Sequence, residues 1–358
     1  MQVSLFERSI NPAMLRLARE ARGMTQKELA DALNIEQGTL SKFETGYQMP
    51  SDSLLCQIAS QLRFPLSFFY NPNQSFSSPT IYYRKLKQIP KRELYKAEAY
   101  MDLCRFGLEE LLRSVEIPDA NLFKWDVDKH GSPSNAAREL RKRWQVPKGP
   151  IQNLVLLLER NGIVVFMLDL AHEISGLSHI IGRIQPIIFL NRNMPADRMR
   201  FTLAHELGHL IMHFTENPIP KDRLVEDEAH EFAGEFLLPE LEISPSLSKL
   251  DLRKLLDLKR YWKVSMQMLI RHAKRINCIN ERQQSSLMVK ITQEGYRVNE
   301  PIVFVKEEPL IAKKIFKIHL DMGHTAASIA DLMRLPEDFV SLFSSEQETN
   351  IPRMRIAI

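Results

Sequence analysis

A chain of 358 residues is longer than one compact core of typical size, so two or three domains are expected. Hydrophobic and charged fractions of 44% and 26% exclude wholesale disorder, and no stretch reaches the roughly 18 apolar residues of a membrane span. Three scattered cysteines without a Cys-x-x-Cys pair argue against disulfides and a thiolate metal site, while a net charge of +4 selects no partner by itself.

The N-terminal segment carries Glu7 and Arg8 where a secretory leader needs an uninterrupted apolar core, so the expected compartment is the cytoplasm. Residues 12–66 place apolar side chains at helical spacing in short bursts, broken at Gly23, Asn34, Gly46 and Pro50. Four or five short helices follow from this pattern. Thr25 is the expected N-cap of the second, with Glu28 three residues on completing a capping box. That helix runs to about Leu33, and Asn34 supplies the left-handed reversal that glycine and asparagine tolerate best. Ala30 is small where two helices cross, and Leu40 and Phe43 are apolar where the next helix rests on it.

This segment resembles the helix-turn-helix of the Xre, Cro and lambda-repressor type, over about residues 11–70. GMTQKELA, LSKFETG and Pro50 fit the wider pattern, and Asn34 stands where glycine is more frequent. The resemblance implies a second helix, about Glu36 to Glu44, that enters the major groove of DNA. It maps base contacts onto Gln37 and Lys42, places Gln26 near a phosphate or base, and makes Thr39 and Ser41 candidate phosphate contacts. Residues 1–64 hold seven Lys or Arg against seven Asp or Glu, so non-specific DNA affinity should be low and operator binding should require a dimer. The bland alternative is a helical bundle used for protein contacts alone.

Residues 71–80, NPNQSFSSPT, read as a linker, and YYRKLKQIPKREL at 82–94 offers further basic groups or simply a solvated helix start. From about Lys91 to Ser114 a long helical period predicts a bridging or dimerising helix, or one packed on the next domain. SPSNAARELRKRW and Ile151 to Arg160 predict two helices, and IVVFMLDL, LSHIIGR and IQPIIFLN predict strands. Asn193, Pro195 and Asp197 signal the start of a helix that runs through FTLAHELGHLIMH.

On that helix the four-residue spacing of His205 and His209 puts both imidazoles on one face, able to bind one tetrahedral Zn²⁺. Glu206 projects beside them, where it can take a proton from an attacking water. A catalytic zinc needs a third protein ligand. The HExxHxxGxxH pattern would require histidine at position 215, which is Thr215. In VEDEAHEFAGEFLLP the apolar face is set by Ala229, Phe232, Ala233, Phe236 and Leu237; Glu226 lies roughly 50° from its centre and Glu228 roughly 110°. Glu226 is therefore the inward carboxylate that a His-His-Glu site needs. His213 and His230 are weaker candidates, as ligands, partners of a ligand, oxyanion helpers or structural histidines.

Residues 130–300 resemble the ImmA/IrrE family of metallopeptidases, through RFTLAHELGHLIMH, ExxAxxFAxxFLLP, the upstream GPIQNLVLLLERNGIVV and the downstream LKRYWKVSMQMLIRHAKRI. Fusion behind an Xre-type helix-turn-helix recurs in that family. The resemblance implies His205, His209 and Glu226 as zinc ligands, Glu206 as general base, and cleavage of a DNA-binding repressor or antitoxin in stress, prophage or mobile-element control. His230 departs from the family, where asparagine is usual.

The expected fold is thus multidomain. An all-α lambda-repressor-like helix-turn-helix (1–70) precedes a linker and bridging helix (71–129), an α+β zincin-like metallopeptidase domain (130–300) and a helical C-terminal region (301–358). In that last region TAASIADLMRLPEDFVSLF faintly echoes a helix-turn-helix, and a helical appendage is expected rather than a second DNA reader. Three functional readings follow. The chain is a transcriptional regulator with an active zinc endopeptidase that cleaves a repressor, an antitoxin or itself; a regulator whose peptidase-like domain is a non-catalytic sensor; or an antitoxin-like module that neutralises a partner by binding. The general base Glu206 favours the first.

Overall fold

The computed structural model describes residues 10–72, 90–181, 185–214 and 224–344. The expected linker and the basic stretch at 82–94 fall largely outside these residues, as does Thr215. Two compact units form, one drawn from residues 1–117 and 311–358 and the other Pro118–Leu310.

The first unit begins with α1 (Pro12–Ala21), α2 (Gln26–Ala32), α3 (Gln37–Glu44) and α4 (Asp52–Leu62), followed by a 3₁₀ turn, Leu66–Tyr70. The Thr25–Glu28 capping box forms as both required hydrogen bonds, and Asn34 makes the turn between α2 and α3 at φ 54°. Leu29, Ala30, Leu40 and Phe43 are buried together with Met14 and Leu15, so the apolar bursts of the sequence become one small core. Next comes α5 (Lys91–Leu111), which runs against α1.

In the second unit α6 (Val127–His130), α7 (Pro133–Arg143) and α8 (Leu154–Arg160) lead into β1 (Val164–Leu168), β2 (Gly176–Ile181) and β3 (Gln185–Asn191). The sheet order is β1-β3-β2. β3 pairs in parallel with β1, Phe166 opposite Phe189, and antiparallel with β2, Ser178 opposite Ile188. Then follow α9 (Ala196–Met212), α10 (Val225–Leu237), α11 (Glu240–Ile243), α12 (Leu252–Trp262), α13 (Met266–Arg275) and α14 (Glu281–Gln293).

One face of α9 lies on β2 and β3, and α10 packs between α9 and α7. The first turn of α9 is fixed by Asp197, which pairs with Lys259 of α12; that ammonium is fully buried and also meets Glu300 at 2.8 Å. Two carboxylates compensate the desolvation of one buried cation, so removing Lys259 would leave both acids without their counter-charge.

The chain then returns to the first unit with α15 (Ile311–Asp321), α16 (Ala326–Met333) and α17 (Glu337–Val340). This changes the four-segment reading of the sequence. Residues 311–344 are not a separate appendage: α15 and α16 pack on α5, His319 Nε2 donates to the Leu111 carbonyl at 3.1 Å, and Arg22 pairs with Asp338 at 2.5 Å. Gly107 of α5 makes room for Phe343 and Met333, which a Cβ would meet at 2.8 and 3.0 Å. α5, expected as a bridging or dimerising helix, packs against α1, α15 and α16 of its own unit. The second compact unit likewise begins at Pro118 rather than at residue 130. The helix-turn-helix echo is real in its first half, where Thr325 forms a capping box and Arg334 adopts φ 55°, but the helix that follows has only four residues.

Gly162 sets the turn into β1. It has φ 77°, and a Cβ there would lie 2.5 Å from the Asp119 carbonyl oxygen and 2.7 Å from that of Pro118, both backbone. Gly162→Ala should therefore destabilise the second unit by at least about 1 kcal/mol, read as a lowered denaturant midpoint; an unchanged midpoint would show that the turn is free to move.

Candidate metal centre and nucleic-acid interface

Helices α9 and α10 supply the candidate metal centre. His205, Glu206 and His209 are all buried on α9, and Glu226 reaches them from the first turn of α10. His205, His209 and Glu226 are the group of His, Cys, Asp or Glu side chains found close enough to hold a metal ion among the described residues. His209 Nε2 lies 3.1 Å from His205 Nε2, and the Glu226 carboxylate oxygens lie 3.4 Å from His205 Nε2 and 3.6 Å from His209 Nε2. Two atoms bound at 2.0–2.1 Å to one tetrahedral zinc are about 3.4 Å apart. All three separations bracket that value, so the donor set fits zinc in number, type and spacing.

Burial holds the pKa of His205 down to about 3, although its contact with Glu226 opposes the shift. Its imidazole is accordingly neutral near pH 7 and offers a lone pair. Glu206 accepts a 2.7 Å hydrogen bond from Ser178 Oγ on β2, both groups being buried. Ser178 was not singled out from sequence; only the pairing of β2 against α9 brings it there. The rings of His230 and Phe201 lie 4.6 and 6.2 Å from that of His205, and His230 Nδ1 donates to the Glu226 carbonyl at 2.5 Å. These two residues also line a cavity of about 930 Å³, with Asp227, Arg271, Arg275 and Phe304 among its other walls. His213 is not one of the three donors but meets one of them, His209, and Glu228. Gly208 of α9 admits the ring of Phe232, 3.0 Å from where a Cβ would be.

The candidate DNA surface is organised by a buried carboxylate. Glu44 accepts from Arg19 Nε at 2.6 Å and Nη2 at 2.9 Å, and from Gln26 Nε2 at 2.9 Å. Donation by its Nε2 turns the Gln26 oxygen outward, where it accepts from Gln37 Nε2 at 2.7 Å. The two glutamines picked from sequence are therefore joined, with the Gln37 amide pre-oriented at the first position of α3. Lys42 is exposed, and Thr39 and Ser41 are half-buried on the same helix. Arg19 and Glu44 were not anticipated, since their pairing spans two helices; Tyr47, 83% exposed just beyond α3, was also passed over.

Comparison with known proteins agrees with this division. Residues 15–69 match the helix-turn-helix family, and residues 158–274 match the M78 peptidase family described as the IrrE N-terminal-like domain. The chain is also similar to the transcriptional regulator ClgR of Mycobacterium tuberculosis, strains CDC 1551 / Oshkosh and ATCC 25618 / H37Rv. Each is 41% identical over 54 residues, 15% of this chain and 48% of the relative. The chain thus spans about half the length of the curated relatives it matches. A helix-turn-helix and an IrrE-like α+β domain are combined in one multidomain chain, in which no helix among the described residues is long and apolar enough to cross a membrane.

His272 of α13 is buried against Gly234 of α10, and Arg275 Nη2 donates to its Nδ1 at 2.8 Å. Burial first, and then Arg275, bring the pKa of His272 down to about 3. A histidine held this low takes up its proton only on unfolding, so its contribution to stability is intact above about pH 6.5 and is lost as the pH falls toward 3. In His272→Gln the unfolding free energy of this unit should fall less steeply across that window, by about 1.4 kcal/mol per pH unit, one proton's worth. Equal slopes in denaturant titrations of the two proteins would rule out a neutral buried His272.

Proposed function

We propose that the chain is a DNA-binding transcriptional regulator whose IrrE-like domain is a zinc-dependent endopeptidase, acting on a repressor, an antitoxin or the chain itself. The observation that carries this reading is the meeting of His205, His209 and Glu226 at zinc-ligand spacing, with Glu206 held beside them by Ser178. A bound zinc would supply a Lewis acid that polarises the scissile carbonyl and makes the attacking water more acidic.

The protein groups perform the rest. Glu206 takes a proton from water as its oxygen bonds to the peptide carbonyl carbon, and gives that proton to the amine nitrogen as the C–N bond breaks. Ser178 donates to one Glu206 oxygen and so leaves the carboxylate anchored in one orientation while the other oxygen works. His230 and Phe201, whose rings neighbour that of His205, also line the cavity, which is the space we assign to the polypeptide. DNA binding is assigned to α3, with Gln37 reading a base edge, Gln26 supporting it, and Thr39, Ser41 and Lys42 meeting phosphates or bases. The even charge of the N-terminal residues fits an operator bound by two copies.

Glu206→Gln should retain zinc and lose at least about 100-fold in cleavage of a protein encoded beside it, measured as product appearance; zinc bound by the wild type without cleavage of any such protein would sink the endopeptidase reading in favour of a sensor. Gln37→Ala should weaken footprinting on the chain's own promoter by about 1–3 kcal/mol. An undiminished footprint removes Gln37 from the reading helix.

A further inference from the structure

The spacing that aligns His205 with His209 continues one step further, to His213 at the C-cap of α9. Three imidazoles therefore stand in a column along one helix face. Their nitrogens meet in a definite order: Nε2 of His205 to Nε2 of His209 at 3.1 Å, then Nδ1 of His209 to Nδ1 of His213 at 2.8 Å. His213 Nε2 ends the column on Glu228 Oε2 of α10, at 2.8 Å. Glu226 and Glu228 thus approach the same column from one helix, two residues apart, the first at its metal end and the second at its far end.

Proton positions follow from the end of the chain. A carboxylate can only accept, so His213 Nε2 carries the hydrogen. A neutral His213 then has its lone pair on Nδ1 and accepts the Nδ1–H of His209, which leaves the lone pair of His209 on Nε2, directed at His205 and Glu226. That is the tautomer a metal ligand requires. His205 lacks this arrangement, because its Nδ1 is buried with no hydrogen-bond partner.

We infer that Glu228 and His213 are positioning residues that fix the tautomer and ring orientation of His209 for metal binding. The inference rests on reading His205, His209 and Glu226 as zinc ligands. Neither residue touches substrate; both act through His209. The two ligand imidazoles are consequently unequal, one braced from behind and the other held by packing against Phe201 and His230.

The test is a zinc titration of the full-length chain against a chromophoric chelator near neutral pH, with thermal unfolding of the zinc-free proteins as the check on folding. His213→Phe, which keeps a ring but accepts nothing, should lose about 10- to 100-fold in zinc affinity. His213→Asn, whose side-chain oxygen stands near the former Nδ1, should recover most of that loss, a rescue that mere filling of space would not produce. Glu228→Ala should weaken zinc binding and Glu228→Gln less so, and this pair decides the matter if His213→Phe does not fold. Imidazole ¹⁵N shifts of the zinc-free wild type should show His209 protonated at Nδ1 and His213 at Nε2. Wild-type affinity in folded His213→Phe and Glu228→Ala, or an Nε2-protonated His209, overturns the inference. His205→Ala separates the two readings: if it abolishes zinc binding while the His213 and Glu228 variants bind as wild type, the ligand set stands and the positioning role falls. A wild-type chain that binds no zinc removes both.

Discussion

The close approach of α9 and α10 is the constraint on which the candidate metal centre depends. Gly208 costs about 1 kcal/mol relative to alanine in a helix interior. In its place the fully buried ring of Phe232 seats against α9, where a Cβ on Gly208 would lie only 3.0–3.3 Å from the Phe232 side chain. Full burial of a phenylalanine side chain stabilises by about 1.5–3 kcal/mol, which outweighs the helix penalty. The sheet acts from the opposite side: β2 lies along α9 and orients Glu206 through Ser178. Metal donors and candidate base are thus positioned by different neighbours.

Much of this was legible in the residues. Capping boxes, the helical period and the spacing of two histidines are local signals, and local signals survive into structure when a core forms around them. Glu226 could be placed by angle alone because α10 has a clear apolar face. Ser178, Glu228 as a partner of His213, and the Arg19–Glu44 pair could not. Each depends on which elements become neighbours, and nothing in the sequence around Ser178 states that β2 will lie against α9. Glu228 is the sharper case: at roughly 110° from the apolar centre it looks solvent-directed on a helical wheel, yet it reaches the end of the neighbouring helix. A wheel describes one helix, whereas the last turn of α9 extends to where α10 begins.

The DNA-facing side shows the same economy of buried charge. Glu44 would be expensive to bury alone, but Arg19 engages both of its oxygens and Gln26 adds a third hydrogen bond. The outcome is a support under Gln37, so that the exposed amide at the start of α3 has less conformational freedom to lose in the base contact proposed for it. At the C-terminal end the resemblance between TQKELADALNI and TAASIADLMRL extends to the capping box and the left-handed turn. There the third helix is cut short, and Phe339 packs against Phe64 and Tyr100 within the same unit.

That packing also decides what a cut in the chain would do. Because the first unit is assembled from residues on both sides of Pro118–Leu310, its helices α5 and α16 are tethered through the whole of the IrrE-like domain. One broken peptide bond anywhere in the intervening domain would leave α15–α17 attached to the DNA-reading helices by noncovalent contacts alone. The integrity of that unit would then become a bimolecular equilibrium, sensitive to concentration in a way the intact chain is not.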